Sequence, residues 1–194
     1  MLLIQITFLI TTFLLAAVPF GLVLTTMLTD MDIRSSGSGN IGATNVYRLA
    51  GRRMGIATLA CDILKGFVPT LVSLWLMDGA LGVSLTILAA FLGHCYSPYL
   101  AFRGGKGVAT GVGGFLAAAP LPALLATCAW IGVVAFTRKS SLGALVGLGV
   151  MVAGLAIFPS TRPLLPVAGV IGALLLWRHR SNIGRLLAGT ESRV

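Results

Sequence analysis

Carboxylates are scarce in this chain. Asp30, Asp32, Asp62, Asp78 and Glu191 are the only five among 194 residues, and they are scattered too widely to build the oxygen cage of a divalent metal. No metal site and no cofactor is therefore expected. Cysteines are few as well: Cys61, Cys95 and Cys128 form no CxxC pair and fall in or beside apolar stretches, which speaks for small packing residues rather than for a zinc site. Charged residues make up only 10% of the chain against 57% hydrophobic ones, too few to clothe a soluble globule of this size. Short segments of alternating polarity are also lacking, which excludes a membrane barrel. What is present is a series of continuous apolar runs close to the roughly 20 residues that a helix needs to cross a hydrocarbon core of about 30 Å. The expected fold is an all-α integral membrane protein, a single domain over 1–194.

Spans are predicted at 3–28, 56–76, 81–100, 108–119, 121–136, 142–158 and 164–178. The first is read as a retained anchor: it has no basic n-region, its first Lys or Arg being Arg34, and it is too long for a secretory signal. The stretch 108–136 carries Gly111, Gly113, Gly114, Pro120 and Pro122 and fits either one broken span or a tight pair. Charge arbitrates between these. With a pair, Arg34, Arg48, Arg52, Arg53, Arg103, Lys106, Arg138, Lys139, Arg178, Arg180, Arg185 and Arg193 share one side and only Arg162 lies opposite. With one span the same residues divide almost evenly, erasing the bias that sets topology. Seven transmembrane helices are therefore predicted, the amino terminus outside and the carboxyl terminus cytoplasmic. The formal charge of +9 then reflects topology and attraction to the lipid bilayer, and no nucleic-acid partner is expected. Asp62 and Lys65, three apart in the second span, read as a structural helical pair.

This topology gathers three polar clusters on the cytoplasmic side. In "SSGSGNIGATNVYR" (35–48), Gly37, Gly39 and Gly42 permit turns that aim backbone N–H groups at an anion. Ser38, Asn40, Thr44 and Asn45 add side-chain donors, and Arg48 can grip a phosphate in two places. A flexible loop with helix caps is the plainer alternative. In "GHCYSPYLAFRGGKGVAT" (93–110), Gly104, Gly105, Lys106 and Gly107 open the fourth span, with Thr110 in its first turn. A helix N-terminus with glycines and a lysine suits phosphate. It is not a Walker A loop, because Gly107 follows the lysine. Arg103 and Lys106 as bare topology signals, and His94 as a packing or capping residue, are the competing readings. The third cluster, "HRSNIGRLLAGTE" (179–191), carries His179, Asn182, Arg185 and Glu191, more than a basic lipid-binding tail requires.

Together these stretches resemble the bacterial acyl-phosphate:glycerol-3-phosphate acyltransferases, the PlsY family. The resemblance rests on "SGNIGATNVYR" (38–48) within the first stretch and on the whole of the other two, 42 of the 194 residues, which stand in the family's order. The resemblance implies a seven-helix enzyme of the bacterial inner membrane with its active site on the cytoplasmic side. Such an enzyme passes a fatty acyl group from acyl phosphate to the 1-hydroxyl of glycerol 3-phosphate, giving lysophosphatidic acid and phosphate. It also implies a soluble phosphate acyltransferase upstream, and the chain is expected to act as a monomer. On this reading Lys106, Arg48, Ser38 and His94 carry catalysis. The motif glycines, Asn40, Thr44, Asn45 and Thr110 bind phosphate, and His179, Asn182, Arg185 and Glu191 position the acceptor. The HxxxxD dyad of acyl-CoA-dependent enzymes is absent, since Tyr99 stands where its aspartate would be. Direct transfer follows, with the donor's own oxygen or His94 taking the hydroxyl proton. Two other classes compete: a transporter for small phosphorylated anions, which needs access from both faces, and a metal-dependent phospho-alcohol transferase or lipid phosphatase, for which carboxylates are too few.

Overall fold

The structure, a computed structural model, describes residues 1–29 and 31–194; Asp30, one of the five carboxylates, lies outside the described residues. Regular structure among the described residues is helical. Helices α1 (Leu2–Ala16) and α2 (Phe20–Thr29) replace the single first span expected over 3–28, and they are bent by 40°. Pro19 has no N–H with which to continue the α1 ladder. Carbonyls freed at the break are taken up from elsewhere: Ser97 Oγ donates to Ala17 O at 2.7 Å and Lys65 Nζ to Val18 O at 3.0 Å.

Helix α3 (Ala43–Leu76) begins well before the predicted residue 56, so the first polar motif ends inside a helix. Gly51, at φ 84 and ψ 177, interrupts it. That backbone conformation is cheap only for glycine, and it separates the segment 43–50 from the apolar length 52–76. Helix α4 (Gly79–Cys95) ends short of the predicted residue 100 and is followed by a 3-10 turn, Pro98–Leu100. Helix α5 (Val108–Ala118) has 11 residues, a rise of about 16 Å, only about half of a hydrocarbon core. The predicted 108–119 span is thus a short segment, closed by Gly107 and Pro120 at its two ends. Helices α6 (Pro120–Thr137), α7 (Ser140–Ile157), α8 (Leu165–Arg178) and α9 (Arg180–Leu187) complete the order.

The bundle is apolar outside and lined by small or hydroxyl side chains inside. Trp75 is 79% and Phe136 91% exposed, while Thr58, Thr70 and Thr86 are buried. Such an arrangement suits lipid rather than water. A Cβ at Gly66 would strike the Thr110 carbonyl, and one at Gly113 the Ile63 carbonyl, so α3 and α5 touch through their backbones. Ile87, Phe91, Phe115, Met151, Leu155 and Ile171 form the main core among α4, α5, α7 and α8. On α3, Asp62 and Lys65 pair at 2.7 Å, both buried, as their spacing suggested.

Candidate functional site

The first motif folds around Asn45. Gly37 and Gly39 turn with positive φ. From the first turn of α3, Asn45 Oδ1 accepts the Ser38 N–H at 2.9 Å, while its Nδ2 donates to Ile33 O at 3.1 Å and Ser36 O at 3.4 Å. Its amide is fully engaged, so Asn45 shapes the loop instead of offering donors to an anion as expected. Asn40 Oδ1 accepts the Gly42 N–H at 2.8 Å in the same way. Ser38 stays exposed. Thr44 shares a 3.0 Å hydrogen bond with Ser140, and Arg48 donates from Nε to Arg193 O and from Nη2 to Ser192 O, both at 3.1 Å.

The second motif departs from expectation in its backbone donors and in two of its residues. The Gly104 and Gly105 N–H groups donate to Cys95 O at 3.2 Å and His94 O at 3.0 Å, turning toward the end of α4 and not toward an anion. Gly107, with φ 80, caps α5, and the start of that helix, Val108 and Ala109, faces the cavity. Arg178 clamps the loop from the other side, Nε on Gly105 O at 3.0 Å and Nη2 on the Gly104 and Gly105 carbonyls. His94 is buried with Nδ1 3.6 Å from Asp62 Oδ1, and its ring fills the space that a Gly105 side chain would need. Thr110 packs against α3 at Gly66; it and Gly105 do not line the cavity.

Glu191 is the hub of the third motif. Its Oε1 accepts from Ser141 Oγ and Asn182 Nδ2 at 2.6 Å each, and its Oε2 from Arg185 Nε at 2.7 Å. Asn182 Oδ1 in turn accepts from Lys106 Nζ, tying the second motif to the third. His179 is buried and donates Nδ1–H to Leu175 O at 2.9 Å, which fixes the tautomer and leaves Nε2 as the lone-pair side.

All three motifs border one cavity of about 860 Å³. Its polar end is lined by Ser38, Arg48, Lys106, Arg178, His179, Asn182, Arg185 and Glu191, and its apolar part by Phe91, Phe115, Trp130, Leu148, Met151, Ile171 and Leu175. Burial pushes the Lys106 amine down to about 8; Glu191 opposes this, and Arg185, Arg48 and Arg178 add to it. Lys106 is thus charged at neutral pH but close to titration. Burial, with the Lys106 charge, lowers His179 to about 4, so its imidazole is neutral. Burial pushes the Glu191 carboxyl up, but hydrogen bonds from Ser141, Asn182 and Arg185 win and hold it below the usual range. Among the described residues no three His, Cys, Asp or Glu side chains come together as a metal cage.

Sequence reasoning missed Arg178, Ser141 and the tail beyond Glu191. Arg178 stood next to His179 but counted only as a topology charge, and nothing in the sequence marks Ser141 out. The chain as a whole has known relatives. A family model described as glycerol-3-phosphate acyltransferase matches residues 6–189. A glycerol-3-phosphate acyltransferase of Geobacter metallireducens is 48% identical over 191 residues, 98% of both chains, and that of Geobacter sulfurreducens 46% over 181 residues, 93% of both. A crystal structure of PlsY, an integral membrane glycerol 3-phosphate acyltransferase in its glycerol 3-phosphate form, superposes with TM-score 0.92 at 38% identity, covering 98% of this chain and 95% of that one. The lysophosphatidic acid form gives 0.89 at 37%, covering 97% and 94%. With a family match over nearly the whole chain and a shared membrane-helix fold, this protein belongs to the glycerol-3-phosphate acyltransferase family.

Proposed function

We propose that this chain takes the acyl group from acyl phosphate and passes it to the 1-hydroxyl of glycerol 3-phosphate, releasing lysophosphatidic acid and inorganic phosphate. One observation carries the reading: a single cavity with basic groups at one end and an apolar remainder fits two phosphates and one fatty chain. Lys106, Arg48 and the start of α5 neutralise phosphate, while Phe91, Phe115 and Met151 receive the chain. The glycerol oxygen attacks the acyl carbon, the bond from that carbon to the phosphate oxygen breaks, and phosphate leaves with its electron pair. The hydroxyl proton goes to the donor's phosphate oxygen or to His94. Positive charge around the reacting carbonyl stabilises the oxyanion that develops there.

The wider setting follows the charge bias. The chain is one domain of seven membrane segments, α5 being a short one, with the motif-bearing side facing the cytoplasm of a bacterial inner membrane. It works as a monomer on acyl phosphate made by a soluble enzyme. A transporter is not favoured, since all three motifs border one cavity at one end of the bundle.

Donor choice tests this directly. Purified protein is expected to turn over acyl phosphate with glycerol 3-phosphate and to leave acyl-CoA and acyl carrier protein untouched; comparable turnover with acyl-CoA overturns the reading. Because carboxylates are few, the rate is also expected to survive excess chelator, and a loss that magnesium restores counts against it.

A further inference from the structure

Arg138 entered the sequence reading only as a topology charge. In the structure it closes a chain of contacts that ends on Arg48. The Arg138 carbonyl accepts the Val194 N–H at 2.7 Å, and its Nε donates to Val194 O at 2.9 Å, so residue 138 holds the tail by both its backbone and its side chain. The two residues before Val194 present their carbonyls to Arg48 Nε and Nη2. Arg48 sits on the short helical segment 43–50, which the non-helical Gly51 kinks away from the long apolar part of α3, with Tyr47 packed against Gly55 across the kink. Packing of Asn45 and Val46 seats the segment, whereas the long Arg48 side chain takes its direction from its own hydrogen bonds to the tail. At the start of the segment the Thr44–Ser140 hydrogen bond fastens it to the same corner between α6 and α7 that carries Arg138.

We infer that Arg138 and the tail from residue 192 onward are positioning elements for the reaction: Arg138 clips the tail, and the tail main chain orients the Arg48 guanidinium at the rim of the cavity. The inference rests on the reading that Arg48 holds substrate phosphate. Arg138 itself lies outside the lining of the main cavity.

A double-mutant cycle decides the matter. Arg138→Gln is expected to lower kcat/KM about 10-fold, since misplacing a positioned group costs about that or more. Arg138→Lys keeps the positive charge on that side of the membrane but loses the Nε contact, so it should show the same defect. Chains ending after Glu191 should resemble Arg138→Gln, and combining the two should add nothing further. In an Arg48→Ala background neither change should matter. Equal defects added on top of Arg48→Ala, or full activity of Arg138→Lys and of the shortened chain, overturn the clip. If Arg48→Ala alone is near normal, the phosphate reading itself fails. Should Arg138→Gln not fold, the shortened chain and Arg138→Lys, checked for equal yield and orientation, carry the test by themselves.

Discussion

Lys106→Ala is expected to lower kcat about 10²-fold or more while changing the apparent affinity for glycerol 3-phosphate far less. The amine sits in the polar end of the cavity, held by Asn182, with Arg48, Arg178 and Arg185 close enough to depress its ionisation. Neighbouring cations already provide standing attraction for bound phosphate. What the amine adds is charge at the place where negative charge grows as the acyl group leaves. An interaction stronger in the transition state than in the ground state appears in kcat, and losing one costs about 2.7 kcal/mol or more. A change confined to KM would show that Lys106 only holds substrate.

The same amine sets a pH dependence with a definite sign. Its ionisation is lowered to about 8, so it is charged below that pH and neutral above. In the free enzyme kcat/KM is therefore expected to fall as pH rises through about 8. Lys106→Arg keeps its charge throughout this range and should lose that alkaline limb even if it turns over more slowly. A limb that persists in Lys106→Arg belongs to another group.

Much of this site was legible because its chemistry depends on residue type and order. Lys106, Arg48, His179, Asn182 and Arg185 stand out in an apolar chain, and the structure gathers them around one cavity. Their hydrogen-bond partners were far less legible. Whether Asn45 faces a ligand or its own loop depends on the turn taken at Gly37 and Gly39, and whether the Gly104 N–H points outward depends on where α4 ends. Both are tertiary facts that spacing does not encode. The same limit applies to the fold. Hydropathy located α6 and α7 closely, because a long apolar run has one stable outcome in lipid. It merged α1 with α2, since Pro19 lies inside an unbroken apolar run, and it started α3 late, because residues 43–50 form a helix despite their polarity, docked through Asn45 and Val46.

Gly105→Ala changes no charge, yet is expected to reduce kcat/KM about 10²-fold. Direct approach of phosphate to the Gly105 N–H is not the reason, for that group already donates to His94 O. The added methyl would enter the His94 imidazole, which is buried beside the loop and Asp62. Loop and ring must separate. As the loop moves it takes Lys106 with it and strains the Arg178 hold on the Gly104 and Gly105 carbonyls. Displacing a catalytic group by about 1 Å can cost 10²-fold in rate, and overpacking of this kind typically costs about 1–3 kcal/mol of stability. Steric and chemical effects separate in the Gly105→Ala, His94→Ala double variant. Removing the ring makes room for the methyl, so the thermal midpoint in detergent should recover toward the His94→Ala value. The rate should stay low if His94 serves the reaction. A Gly105→Ala enzyme with normal stability and kinetics would show that the loop tolerates displacement, and with it that the His94 wall does not set the position of Lys106.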